Sequence, residues 1–542
     1  MANPPSTPLP PPSPGYDGYD VTIVCCSDDH QAAYWQSRLS ATVGAERGSA
    51  GASSGGPGAS FPLVLAVTED WGAGGAGNGL GTLYAYRKAC AAALPLGVDL
   101  PALLLAGSVS AALFHTAGKG TRLAPLPAAE NNNKPAVRLP ATVLSNSTVK
   151  GVTTTQRVPM TVLEAVVLQT GAYAASRRGR LSVFWGDQIF VPSVSPRYQP
   201  KHHVDIMCTL GEMVGEEEWA SKGLEKYGVI AVSSTGAAAQ VEKVSHATAV
   251  RMLASLGDVK RVGPSLGSFS LSSPFLAALV DEYEPELARK EGKMDTDPHF
   301  WMPLTLSEPD YVSLMTQKKV PADASQAQYR RMAAFKERFF EGGRNGALGL
   351  FGAVDVGAQA CWWDYGQLKK YMANNMQLLE DGDDANLLRA FFGVTSRVSD
   401  SSTGDAAVDA SSCVFSSNVG AGSISGSVLS AVSADEVEAD GALLINVSAA
   451  KIKVAPGSIV YNVVSDDAAG IEVGPGEVLC GVFDEAGACK LVRSRLDVDG
   501  GAAWKESVCG NDLSFEGLHA ANVGADVSAI EAAKTKRMQR AE

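Results

Sequence analysis

Residues 113–140 read LFHTAGKGTRLAPLPAAENNNKPAVRLP. An apolar strand, ALFHTA over 112–117, runs into Gly118-Lys119-Gly120-Thr121-Arg122. Glycines let a backbone approach a phosphate chain closely and turn its amides toward it. Arg122 and Lys134 supply positive charge where a departing pyrophosphate would gather negative charge. A Walker-type loop needs a glycine five positions before its Gly-Lys pair, and position 113 is Leu, so that kinase reading fails.

Outward from this stretch, short apolar runs alternate with helical segments. YDVTIVCC (19–26), FPLVLAV (61–67), RLSVFWGD (180–187), DIMCTLG (205–211) and YGVIAVSS (227–234) read as strands. SDDHQAAYWQSRLSA, the segment from Thr82 to Ala93, and TVLEAVVLQTGAYAAS read as helices. This alternation predicts an α/β domain over 19–395 with a mixed, mostly parallel sheet. Functional loops in such sheets lie at the carboxyl ends of the strands. Residues 1–18 form a Pro-rich leader without a secretory pattern, and 45–60 form a Gly/Ser/Ala-rich loop.

After residue 395 the pattern changes. The polar stretch 396–412 lacks a period and reads as a linker. In a β domain read over 413–500, aliphatic residues recur every five to seven positions from Cys413 to Val464, at Val414, Val419, Ile424, Val447 and Ile459 among others. That spacing is similar to the imperfect hexapeptide repeat of a left-handed β-helix, with a small irregular β domain as the alternative. Residues 501–542 form an extension ending in AIEAAKTKRMQRAE, a polar helix or frayed tail.

Composition narrows the function. The chain has 542 residues and a formal charge of −13, a poor match to nucleic acid or an anionic membrane. No apolar run has the length of a membrane span, which predicts a cytoplasmic protein. The nine cysteines contain no CxxC and suggest no zinc site. His202 and His203 have no ligand spacing to another histidine or acid and read as structural.

Acids at strand ends are the candidate metal ligands. Val183-Phe184-Trp185-Gly186-Asp187 places a carboxylate at the sheet's edge. Asp364, in Trp362-Trp363-Asp364-Tyr365-Gly366, competes with Asp355, Asp295 and Asp297, and also with a plain helix-capping role.

The segment Gly118, Gly120, Thr121, Arg122, Leu123, Pro125, Leu126, then Lys134-Pro135, resembles the signature of sugar-nucleotide pyrophosphorylases, the sugar-1-phosphate nucleotidylyltransferases. The spacer PAAENNN before Lys134 is longer than that signature's. The resemblance implies a Rossmann-like (GT-A-type) domain, Mg2+ held by Asp187 and Asp364, and a nucleoside triphosphate and sugar-1-phosphate as substrates. It implies catalytic roles for Arg122 and Lys134, with Gly118, Gly120 and Thr121 on the nucleotide. Thr155-Gln156-Arg157-Val158-Pro159-Met160-Thr161 is similar to the family's base-reading piece, which implicates Gln156. Tyr227-Gly228-Val229 and Glu242-Lys243 resemble its sugar and sugar-phosphate contacts, and Gly267 corresponds to a further turn there. In this family the β-helix domain supports assembly of like subunits.

Residues 1–112 precede the signature and include Gly77-Asn78-Gly79-Leu80-Gly81-Thr82-Leu83. This order is similar to fucose-1-phosphate guanylyltransferases and the matching half of plant fucokinase/GDP-fucose pyrophosphorylases. By that likeness Gly77, Gly79 and Thr82 share the nucleotide site. Two other readings stand beside it. One is a non-catalytic sugar-nucleotide-binding relative, given Ala117, Met160 and Val244 at family positions. The other is a glycosyltransferase using Asp295-Thr296-Asp297.

Overall fold

The computed structural model describes residues 18–47, 61–72, 74–149 and 152–541. The leader, apart from Gly18, and most of the 45–60 loop lie outside them. The fold is mixed α/β, and its first large sheet, of ten strands, is mixed parallel and antiparallel. Strand β1 (Val21–Cys26) is followed by helix α1 (Asp29–Arg47), β2 (Leu63–Thr68), α2 (Gly77–Ala93) and β3 (Ala111–His115). β1 pairs in parallel with both β2 and β3, and β3 pairs in parallel with strand Arg180–Trp185. All six residues of β1 are buried, because packed side chains cover both faces of the sheet.

The chain leaves β1 for β2 on one side and returns to β3 on the other. That reversal opens a crevice between the carboxyl ends of β1 and β3, where ligands of open α/β sheets bind. Beyond Arg180–Trp185 the sheet turns antiparallel through the long strand Val259–Ser272. This strand also carries His202–Cys208 and Gly228–Ser233.

The second large sheet is built from strands stacked in parallel. Cys413 pairs with Val428, Val428 with Leu443, and Leu443 with Ile459, steps of 15 or 16 residues. Alternate side chains go opposite ways. Val414, Leu429, Leu444 and Val460 fill an inner core, while Cys413, Val428, Leu443 and Ile459 join the core beneath the first sheet.

One boundary differs from the sequence reading. Val398–Ser399 and Ala407–Val408 pair in parallel with Cys413–Phe415 and Asn418–Ser425, so the stretch 396–412 belongs to the stack. Its polar residues hide this because they satisfy one another: Asp409 accepts hydrogen bonds from Ser411, Ser412 and Ser425. Of the two readings of the C-terminal segment the helix holds: helix Val527–Ala541 is packed, with Lys534 buried against Glu130, 3.1 Å away. No helix of the described residues is long and apolar enough to cross a membrane.

Candidate functional site

Strand Arg180–Trp185 turns through Gly186-Asp187 into strand Gln188–Val191, which pairs antiparallel with Cys361–Asp364. In that register Asp364 lies opposite Gln188, and the Tyr365 amide donates to Asp187 O at 3.0 Å. A Cβ on Gly366 would sit 2.7 Å from Asp187 Oδ2 and 3.0 Å from Asp364 Oδ1. The two carboxylates, 177 positions apart in sequence, thus border one small space that glycine keeps open. Asp364 is further held by the Gly366 amide and by Lys370 Nζ, each at 2.8 Å.

Lys134 reaches the same place. Its Nζ donates to Asp187 Oδ2 at 2.8 Å, and both residues line a cleft of about 590 Å³ with Gly118, Trp185 and Asn78. Gly120, at φ +64°, lies on the lysine stem, where a Cβ would come within 3.0 Å of Lys134 Cβ and Cγ. Among the described residues no intramolecular acceptor takes the amides of Ala117, Gly118, Lys119, Gly120 or Thr121. This loop follows β3 at the crevice and offers a run of open donors beside a cation.

The second glycine loop is different. The Ala76 amide donates to Glu69 Oε1, the Asn78 amide to Asp295 Oδ1, and the Gly79 amide to Met294 O. Gly77 and Gly79 make room for this packing, since a Cβ would approach Met294 O to 2.5 and 2.8 Å respectively. Thr82 is buried, its hydroxyl placed between Asn78 O and His115 Nε2. Of these three residues Gly77 lines the cleft, while Gly79 and Thr82 pack behind it, and the helix-start amides of Ala76, Asn78 and Gly79 are already engaged. Asp295, engaged as the partner of the Asn78 amide, lines the same cleft.

Arg122 is exposed and opens on a separate groove with Gln367, Lys369 and Asp499, not on the cleft of Lys134. Residues 500–501 lie over its turn, with a Gly500 Cβ position only 2.4 Å from Thr121 O. Gln156 is exposed on the ladder Arg138–Val149/Val152–Thr161, opposite Ser145, and does not line the cleft. Thr161 caps the next helix in a reciprocal pair with Glu164.

Gly228 and Glu242 are cross-strand partners, and a Gly228 Cβ would lie 2.7 Å from Glu242 Oε2. Lys243, at φ +56°, pairs with Glu242 at 3.1 Å and is largely exposed. Gly267 carries φ +75° and packs on Trp185, which lines the cleft. Gly228, Glu242 and Lys243 do not line the cleft of Lys134; beside Glu242, burial and then the charge of that glutamate push the Asp297 carboxyl up to about 6.

Glu69 and His115 also line the cleft and escaped sequence reasoning. Burial holds His115 down at about 4, so the imidazole is neutral near pH 7. The signal was present, since His115 ends β3 and Glu69 directly follows β2 at the sheet's carboxyl edge. The long spacer before Lys134 is explained by what it holds. Asn131 and Asn132 adopt left-handed backbone at φ +54° and +64°, which asparagine tolerates. Trp35 donates to Asn133 Oδ1, Asn132 donates to His519 O, and Glu130 accepts from Tyr461.

Comparison of the sequence with protein-family models and with curated proteins finds no match.

Proposed function

We propose that this chain transfers a nucleotidyl group from a nucleoside triphosphate to a sugar-1-phosphate. The observation that carries the reading is the row of open amides at 117–121 beside Lys134, which pairs with Asp187, the carboxylate that borders one small space with Asp364. In the proposed reaction a phosphate oxygen of the sugar-1-phosphate attacks the α-phosphorus in line. The bond from that phosphorus to the α–β bridging oxygen breaks, and pyrophosphate leaves with the electron pair. No side-chain nucleophile is needed, so the residues act by positioning and by charge.

Lys134 and the loop amides would hold the departing phosphates. Glu242, with Gly228 opening the space before it, would accept hydrogen bonds from sugar hydroxyls, and Lys243 would meet the sugar's phosphate. Asp187 and Asp364 fit Mg2+: they are hard oxygen donors bordering one space, and two carboxylates leave room for phosphates and water. When bound, the ion would draw the phosphates together and neutralise part of their charge. The strand order is consistent with a GT-A-type domain, and the register steps of 15 or 16 residues support a β-helix-like second domain that could join like subunits.

The test is pyrophosphate release by the full chain with Mg2+, crossing ATP, GTP, UTP and CTP with a panel of sugar-1-phosphates. One pair should release pyrophosphate far above the triphosphate alone. Tight sugar-nucleotide binding without release from any pair would replace this reading with a non-catalytic binding protein.

A further inference from the structure

Cys25, Glu69 and His115 sit side by side at the carboxyl ends of β1, β2 and β3. Cys25 and His115 are partners in the β1/β3 register, and Glu69 follows the last residue of β2. One donor atom from each residue lies within 4.8 Å of the others. Cys25 is fully buried, whereas Glu69 and His115 also line the cleft.

The arrangement matches a zinc coordination shell in three ways. First, bonds of about 2.3 Å to sulfur and 2.1 Å to oxygen at tetrahedral angles separate the two ligand atoms by about 3.6 Å. Cys25 Sγ and Glu69 Oε2 are 3.7 Å apart. Second, the histidine tautomer follows from its partner. The Thr82 hydroxyl gives its hydrogen to Asn78 O at 2.7 Å, so at 2.8 Å from His115 Nε2 it must accept. Nε2 then carries the proton and Nδ1 keeps its lone pair, the outer-shell device that orients metal-binding histidines. Third, Glu69 is steadied by the Ala76 amide on Oε1, which leaves Oε2 to face the thiol. Gly81, inside α2, has no side chain because a Cβ there would come within 2.9 Å of Glu69 Oε2.

We propose that Cys25, Glu69 and His115 bind a zinc ion whose fourth position opens on the cleft. As the sulfur–zinc bond forms, the Cys25 thiol releases its proton to solvent, and the carboxylate and the neutral imidazole bind without losing one. Three protein ligands and an open position are the pattern of zinc sites that admit water or a substrate oxygen. The proposal does not rest on nucleotidyl transfer. A zinc-bound chain that releases no pyrophosphate keeps this site and loses that activity, and the reverse outcome does the opposite.

The full chain, dialysed with zinc and then against metal-free buffer, should retain one zinc per chain by mass spectrometry of the metal. Cobalt loading of wild-type protein should give an intense near-ultraviolet thiolate-to-cobalt band. Cys25→Ser should abolish that band and His115→Gln should lower the retained metal. Thr82→Val, which removes the hydroxyl that holds His115 Nε2 and that also donates to Asn78 O, should weaken zinc affinity about ten- to a hundredfold. The wild-type spectrum needs no variant to fold. Folded wild-type protein without a thiolate band at saturating cobalt, or a band that survives Cys25→Ser, would overturn the site.

Discussion

Lys134 Nζ donates to Asp187 Oδ2 at 2.8 Å, tying the cation of the glycine-rich segment to the carboxylate that ends strand Arg180–Trp185. Arg122, twelve positions earlier, opens on a different groove. The two cations therefore differ in their access to the triphosphate proposed to lie on amides 117–121. Lys134→Ala should lower kcat/KM by about 10²–10³-fold, the range for removing one well-placed electrostatic contact. Arg122→Ala should cost about tenfold less than that. Steady-state pyrophosphate release decides the ranking, and a reversed order would move the phosphates to the groove at Gln367.

The junction between the two domains and the C-terminal extension rests on buried charge. Glu130 accepts from Tyr461 at 2.6 Å, Arg138 at 3.3 Å and Lys534 at 3.1 Å, while Glu531 pairs with Arg138 and Lys534. Removing one member of a buried ion pair leaves the other charge uncompensated and costs about 3–5 kcal/mol. Arg138 and Tyr461 remain beside Glu130, so Lys534→Met should destabilise by about 3 kcal/mol. Thermal unfolding of Lys534→Met, Glu130→Gln and the double variant checks this. The double variant should be more stable than the sum of the single losses allows.

That junction shows where sequence reading stops. Strands such as Val21–Cys26 and Arg180–Trp185 were legible because burial on both faces demands continuous apolar runs. Asp187 and Asp364 could be named because each ends or follows such a run. The partner of Lys534 could not, because AIEAAKTKRMQRAE has the composition of a solvated helix and Glu130 lies 404 positions away. The packing of the loop at 74–80 was hidden for a related reason. Its glycines look like a phosphate cradle, and Gly77 and Gly79 also serve the close approach of Met294, a contact no local pattern records. The Cys25, Glu69 and His115 cluster is invisible to spacing rules because its members come from three strands.

Asp297 makes stability depend on pH. Burial and the neighbouring Glu242 raise its carboxyl from 3.8 to about 6 in the folded chain. The folded state then holds a proton that the unfolded state has lost, so the protonated group stabilises fully below pH 4. That contribution fades as pH rises through about 6. Asp297→Asn removes the charged form and should leave the variant about 1–3 kcal/mol more stable than wild type at pH 7.5. Near pH 4 the gap should close. Denaturant unfolding of both proteins at the two pH values measures it, and a pH-independent gap would show that Asp297 does not titrate in this window.

Gly366 offers the most selective probe of the paired carboxylates. Its backbone lies outside the left-handed region, so alanine is conformationally permitted. The added methyl would nevertheless fall 2.7 Å from Asp187 Oδ2 and 3.0 Å from Asp364 Oδ1, closer than unbonded atoms tolerate. One or both carboxylates must move apart, while the strand pairing of Gln188–Val191 with Cys361–Asp364 can persist. Gly366→Ala should therefore stay folded at a cost of about 1–3 kcal/mol, the usual range for overpacking. Its pyrophosphate release should need at least about tenfold more Mg2+ for half-maximal rate, because misplaced ligands weaken a metal site by that order. An unchanged Mg2+ dependence in a folded variant would show that Asp187 and Asp364 do not share an ion.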